Sequence, residues 1–209
     1  MGAPDAAFVL VSSGQVYGAP AELPVTEEAP LAPGNPYAVS KAACDLLGAQ
    51  YAEAHDLRVM RLRPFNHAGP GQSDEYVLAS LAHQVAEAEG SGASEVVLRT
   101  GDVTAARDFT DVRDIARAYM LAPTAEPGAY NVCSGRSVRV AELIEALASE
   151  STVAVHHELD PARLRPNDAT EMRGTHERFT AATGWEPSIP LADTVRDTLG
   201  WWRSLQSAA

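Results

Sequence analysis

The chain is poor in cysteine and in positive charge, and it has no long apolar run. Its 209 residues include only two cysteines, Cys44 and Cys133, without a C-x-x-C spacing. A disulfide scaffold and a cysteine metal site are therefore not expected, and both thiols are read as reduced core residues in a predicted helix and a predicted strand. Sixteen Lys and Arg stand against 28 Asp and Glu, a formal charge of -12. Without a basic stripe to displace phosphate counterions, nucleic acid and anionic membrane surfaces are excluded as partners. Isolated arginines in a cleft remain able to hold a small diphosphate. No stretch of about 18 apolar residues and no basic-then-apolar leader layout occur, so the expected address is the cytoplasm. Internal repeats and low-complexity tracts are also missing.

What remains reads as strands alternating with helices, the pattern of an α/β protein with a largely parallel sheet. Phe8 to Val11 form an all-apolar run of the kind found in strands covered on both faces. A proline-rich acidic loop follows, and Asn35-Pro36 supplies an N-cap and a first-turn proline for a helix to about Glu53. "LRVMRLRPF" is a second strand, closed by Pro64 and followed by the loop "NHAGPGQS". Helices are expected over Tyr76 to Glu89 and Asp111 to Leu121, with a short strand at Val96 to Leu98 between them. "GAYNVCSG" is a strand entering a turn, Ser137 caps a helix to about Ala148, and "TVAVHH" is a strand. Gly184 has the position of a helix C-cap, and a last helix from near Pro190 carries Val195, Leu199 and Trp202 on one face.

The chemistry concentrates in "PYAVSK". Tyr37 and Lys41, one helical turn apart, share a face, so the ammonium can sit close to the phenol. A phenol that ionises near pH 10 is a poor acid–base group at neutral pH, and a neighbouring cation favours loss of its proton. A hydroxyl such as Ser13, delivered from the end of the first strand, can hold a carbonyl or alcohol oxygen while Tyr37 gives or takes its proton. Hydride transfer at a C–O centre needs that combination. Asp108, Asp111 and Asp114 lie around a helix start and read as caps and dipole partners rather than metal ligands. His156 and His157 point to opposite faces of a strand and cannot chelate one ion together. The tryptophans read as packing anchors.

"SSGQVYG", "PYAVSK", "RPFNHAGPGQ" and "RDFTDVRD", in that order, resemble the extended short-chain dehydrogenase/reductase family, the NAD-dependent sugar-nucleotide epimerases, dehydratases and reductases. The resemblance implies the C-terminal part of a Rossmann-like parallel sheet plus a small α/β substrate-binding domain. It assigns residues 1–70 and 110–133 to the first, and 71–109 and 134–209 to the second. It further implies that Ser13 holds the substrate oxygen and that Tyr37 is the catalytic acid or base. Lys41 then assists Tyr37 and contacts the nicotinamide ribose, so that Tyr37 and Lys41 are also the cofactor contacts. Asn66 lies beside the sugar or diphosphate, and Arg107 and Arg165 hold the nucleotide diphosphate, a role that a guanidinium fork suits. The cofactor implied is NAD(P)H, the ligand a nucleotide sugar, and no metal is expected.

Within the family, dehydratases place titratable acids just after the catalytic hydroxyl, where this chain has Gly14 and Gln15. An amide does not exchange protons at neutral pH, so elimination of water is disfavoured. The remaining chemistries are reduction and 4-epimerisation. The motifs are most similar to those of members that reduce the 4-keto group of GDP-4-keto-6-deoxy-mannose. A G-x-x-G-x-x-G turn after a first strand, which wraps the cofactor pyrophosphate in the resembled fold, does not occur here. The resemblance places Phe8 to Val11 on the fifth family strand, leaving roughly a hundred residues without a counterpart. Three expectations follow: a truncated reductase, a half whose partner or homodimer mate completes the cofactor site, or a non-catalytic nucleotide-sugar-binding remnant.

Overall fold

The computed structural model describes residues 6–164 and 169–206. In chain order its main elements are β1 (Ala7–Val11), α1 (Pro36–His55), β2 (Arg58–Pro64), β3 (Asn66–Ala68), α2 (Val77–Gly90), β4 (Glu95–Thr100) and β5 (Ala106–Asp111). These are followed by α3 (Val112–Leu121), β6 (Gly128–Val132), β7 (Ser137–Arg139), α4 (Val140–Glu150), β8 (Ala154–Leu159), β9 (Glu171–Met172), α5 (Glu177–Thr183) and α6 (Leu191–Gln206). The chain forms two compact units. One comprises Met1–His67, Asp108–Arg136 and Met172–Ser188, the other Ala68–Arg107, Ser137–Glu171 and Ile189–Ala209.

The first unit is built on a parallel sheet of order β1-β2-β6, with Val9 opposite Met60 and Leu62 opposite Tyr130. Met60, Leu62, Tyr130 and Val132 of the strands bury against Ile115 and Ala118 of α3 and against Phe179 and Trp185. Asp111 caps α3 by accepting from the Arg113 amide at 2.8 Å. The Trp185 indole donates to the Asp114 carbonyl at 3.0 Å, and its ring lies 5.7 Å from that of Phe179. This aromatic anchoring puts residues 172–188 in the first unit, whereas the sequence reading grouped them with the second part of the chain. β1 stands at one end of the strand order, and Phe8 is 59% exposed. The covering on both faces expected of this strand is not supplied by the described residues.

The second unit pairs β4 with β8 in parallel. Helices α2, α4 and α6 bury Leu78, Leu81, Val85, Leu143, Leu147, Val195, Leu199 and Trp202. A row of large apolar side chains at helical spacing removes about 1.5–3 kcal/mol of unfavourable hydration per side chain, which suffices to dock such helices. α4 starts later than expected, at Val140. Ser137 lies in β7 and donates its hydroxyl to Glu171 at 2.7 Å, and Glu142 instead accepts from the Arg139 amide at 2.9 Å. β5 precedes α3 where no strand was expected. Cys133 is buried, but Cys44 lies on the outer face of α1 and is exposed, contrary to its reading as a core thiol. Among the described residues no helix is long and apolar enough to cross a membrane.

Candidate active site

α1 begins where its sequence requires. The Asn35 side chain accepts from the Ala38 amide at 2.9 Å, and Pro36 follows with a φ already suited to the first turn. Tyr37 and Lys41 therefore emerge from the first two turns, Tyr37 half exposed. The Lys41 ammonium donates to the Val11 carbonyl at the end of β1 at 3.0 Å and lies 5.8 Å from the Tyr37 ring centroid. β1 then passes into a short 3-10 turn, Gly14–Tyr17, whose cap is Ser13. The Ser13 hydroxyl oxygen accepts from the Gln15 amide at 3.2 Å. Asn35 donates to the Gln15 side chain at 3.3 Å, tying this turn to the start of α1. The hydroxyl of Ser13, the phenol of Tyr37 and the ammonium of Lys41 thus belong to two segments that are hydrogen-bonded to each other at both Val11 and Gln15.

Asn66 opens β3 just after Phe65, whose amide donates to the Val132 carbonyl at 2.9 Å. The Phe65 ring closes the space beside Gly14, where an added Cβ would stand 2.9 Å from Phe65 Cδ2. Arg107 belongs to the second unit, half buried, with its guanidinium donating to the Ala106 carbonyl at 2.7 Å. Arg165 lies outside the described residues.

Sequence reasoning missed a buried polar network directly behind Lys41. Asp45, on the same helix one turn later, is fully buried. Arg63 of β2 grips it with a fork, Nε to Oδ2 at 2.8 Å and Nη2 to Oδ1 at 2.9 Å, while Arg61 donates to Oδ1 at 2.7 Å. Arg63 also donates to the Tyr17 hydroxyl at 2.8 Å, which donates onward to Asn131 at 2.7 Å. Burial raises the Asp45 carboxyl, but the two guanidiniums and the Ser12 hydroxyl more than offset this and hold it below its ordinary value. Burial also drives the Tyr17 phenol up to about 12 in spite of Arg63, so it stays a neutral donor. Two features of the sequence signal the network. Arg61 and Arg63 share one face of β2, and Asp45 sits on the small-residue face of α1. The sequence also holds only one lysine, Lys41.

Asp108 is a second buried carboxylate. It accepts from the Ser134 amide at 2.7 Å, the Ser134 hydroxyl at 2.6 Å, the Gly135 amide at 3.0 Å and the Gly174 amide at 3.3 Å. Burial raises its carboxyl and these donors counteract the rise. Its oxygens are thereby committed to tying two loops of the first unit, at 134–135 and at 174, to β5.

Tyr37 and Lys41 offer polar groups of the kind that hold a nicotinamide ribose. Neither G-x-x-G-x-x-G nor G-x-G-x-x-G occurs in the sequence, so the residues present fit that end of a dinucleotide and provide no such glycine turn for its pyrophosphate.

Residues 2–198 match the family model described as GDP-mannose 4,6 dehydratase. GDP-6-deoxy-D-mannose reductase of Pseudomonas aeruginosa is 44% identical over 201 residues, covering 94% of this chain and 66% of that protein. UDP-glucose 4-epimerase of Mycolicibacterium smegmatis is 30% identical over 195 residues, covering 92% of this chain and 61% of that protein. The NADPH complex of RMD from Pseudomonas aeruginosa superposes with a TM-score of 0.88 at 40% identity, over 96% of this chain and 68% of that one. The chain spans 61% and 66% of the length of these two curated relatives.

Proposed function

This chain belongs to the GDP-mannose 4,6-dehydratase family of NAD-dependent epimerases, dehydratases and reductases, and on that premise we propose that it carries the acid–base centre of a sugar-nucleotide reductase. The substrate proposed is GDP-4-keto-6-deoxy-mannose, reduced at its 4-keto group. The observation that carries this reading is the 44% identity to a GDP-6-deoxy-D-mannose reductase across a chain whose Ser13, Tyr37 and Lys41 segments are hydrogen-bonded together. NAD(P)H, when bound, supplies the hydride. Ser13 holds the keto oxygen, Tyr37 donates the proton that the reduced oxygen requires, and Lys41 places positive charge beside the phenol as that proton leaves. Asn66, Arg107 and Arg165 are proposed to hold the sugar diphosphate, with the first unit serving the cofactor and the second the nucleotide sugar.

Phe65 supports reduction over dehydration. Its ring fills the space where an acid at position 14 would project, and Gln15 is an amide, so no proton-exchanging acid follows Ser13. The similarity to UDP-glucose 4-epimerases favours a second reading, 4-epimerisation with the hydride returned. We place the protein in the cytoplasm, associated as a homodimer or with a partner that brings the glycine turn for the pyrophosphate.

Calorimetric titration of the purified chain with NADPH and NADH, with and without GDP-mannose, tests the cofactor half of the proposal. Saturable binding of the sugar nucleotide without either cofactor would restrict the chain to a binding role. In the cofactor-competent protein, Tyr37→Phe should lower turnover by about 10²–10⁴-fold with nucleotide-sugar binding retained. Full activity in that variant would remove Tyr37 from the mechanism. Interconversion of 4-epimers without net consumption of NADPH would select the epimerase.

A further inference from the structure

The helix that presents Tyr37 and Lys41 packs on the sheet through an unusually smooth face. Its buried residues are Ala38, Ala42, Asp45 and Gly48. The approach is close: a Cβ on Gly48 would stand 2.7 Å from Leu10 Cδ1. The large apolar side chains of α1, Val39, Leu46, Leu47 and Tyr51, are on its exposed side. Small residues allow backbones to come near each other but supply no knob that fixes how a helix is turned about its axis. A rotation of a few degrees at this face costs little packing, yet it would carry the phenol and ammonium along an arc away from Ser13.

Among the residues that α1 buries, Asp45 is the one that carries a charge. Both its oxygens are occupied, by the Arg63 fork at 2.8 and 2.9 Å and by Arg61 at 2.7 Å. Ser12, the residue before Ser13, donates its hydroxyl to the Lys41 carbonyl at 3.4 Å, one turn before Asp45. Arg63 reaches on to Tyr17, at the far end of the turn that Ser13 caps. The carboxylate is therefore joined from α1 to β2 and, through Arg63 and Tyr17, to the Ser13 turn, while Ser12 ties the end of β1 to the α1 backbone.

We propose that Asp45 and Arg63 are a positioning pair that sets the axial rotation of α1 and with it the placement of Tyr37 and Lys41 against Ser13. The role rests on the function proposed for those three residues, but the geometry it asserts can be read without turnover. Bidentate geometry suits the purpose, since a guanidinium fork fixes orientation as well as distance.

The single lysine makes the test specific. In the full chain labelled with ¹³C-lysine, the Lys41 ε-methylene should show nuclear Overhauser contacts to Tyr37, within α1, and to Val11, across to β1. In the variant Asp45→Leu/Arg63→Met, which replaces the buried ions by apolar groups, the Lys41–Val11 contact should be lost while the Lys41–Tyr37 contact and a cooperative melt persist. Arg61→Met, which leaves the Arg63 fork in place, should keep both contacts. If the double variant does not fold, Arg63→Lys keeps the charge and gives up the fork, and the same contact decides. An intact Lys41–Val11 contact in a folded variant lacking the fork overturns the proposal. Unfolding of every variant without the fork also overturns it, by assigning the pair to holding the fold alone. Failure of the reductase reading leaves these contacts unaffected and shows itself separately, in the Tyr37→Phe assay.

Discussion

α1 in the first unit and α2 with α6 in the second are docked by opposite means. α2 and α6 bury Leu78, Leu81, Val85, Val195, Leu199 and Trp202, and their charged contact, Arg203 to Glu89 at 2.6 Å, ties the last turn of α6 to the C-terminal part of α2. α1 buries alanines, a glycine and one carboxylate, and leaves Leu46 and Leu47 more than half exposed. Hydrophobic burial is non-directional and tolerates small rotations, whereas a forked ion pair at fixed distances does not. The helix that carries the proposed acid–base residues is the one held by direction rather than by area.

The sharpest way to break that contrast is to remove the carboxylate alone. Asp45→Ala leaves Arg63 buried without its counter-charge and should cost about 3–5 kcal/mol in urea unfolding, while Asp45→Leu/Arg63→Met should recover most of that loss. Leu199→Ala in α6 should cost about 3 kcal/mol, the usual scale for an emptied apolar site. If Leu199→Ala proves far more damaging than Asp45→Ala, area governs both regions and the contrast fails.

A smaller effect concerns pH. Arg203 and Thr152 hydrogen-bond the Glu89 carboxylate and, against partial burial, bring it down to about 2. A carboxyl lowered on folding stabilises fully above its ordinary value of about 4.5 and loses that contribution as pH falls through about 2. Glu89→Gln should therefore lower the melting temperature at neutral pH, and the difference from the parent chain should close toward pH 2. At the bottom of the scale, Leu46→Ala on the exposed side of α1 should change stability by less than about 0.5 kcal/mol. A larger loss would show that α1 does depend on apolar area.

Elements with strong local signals were legible in the sequence. Asn35-Pro36 marks the start of α1, the apolar run of β2 ends at Pro64, and Gly184 caps α5 with φ 72°. Tyr37, Lys41 and Ser13, the residues proposed for catalysis, were singled out by spacing and order, and the structure places them on two segments that are hydrogen-bonded together. β5 was not legible, since in "ARDFTD" the buried side chains include Asp108, Thr110 and Asp111, and burial of Asp108 depends on donors from Ser134, Gly135 and Gly174 far along the chain. Asp45 and Arg63 were overlooked for the same reason: a charge is expected outside until its partner is known, and here the partner lies 18 residues away. Ser137 misled because a hydroxyl before an apolar helix signals a cap, while its actual acceptor, Glu171, is 34 residues distant.

Lys41 is the chain's single lysine, and it lies six residues into α1 with the buried Ala42 next in line. An endoproteinase that cuts only after lysine has one scissile bond in these 209 residues, and α1 must open before that bond can enter the enzyme's cleft. Where cleavage outpaces reclosing, the rate at which the 209-residue chain divides into residues 1–41 and 42–209 clocks the opening of α1 at the proposed active centre, unmixed with fraying anywhere else.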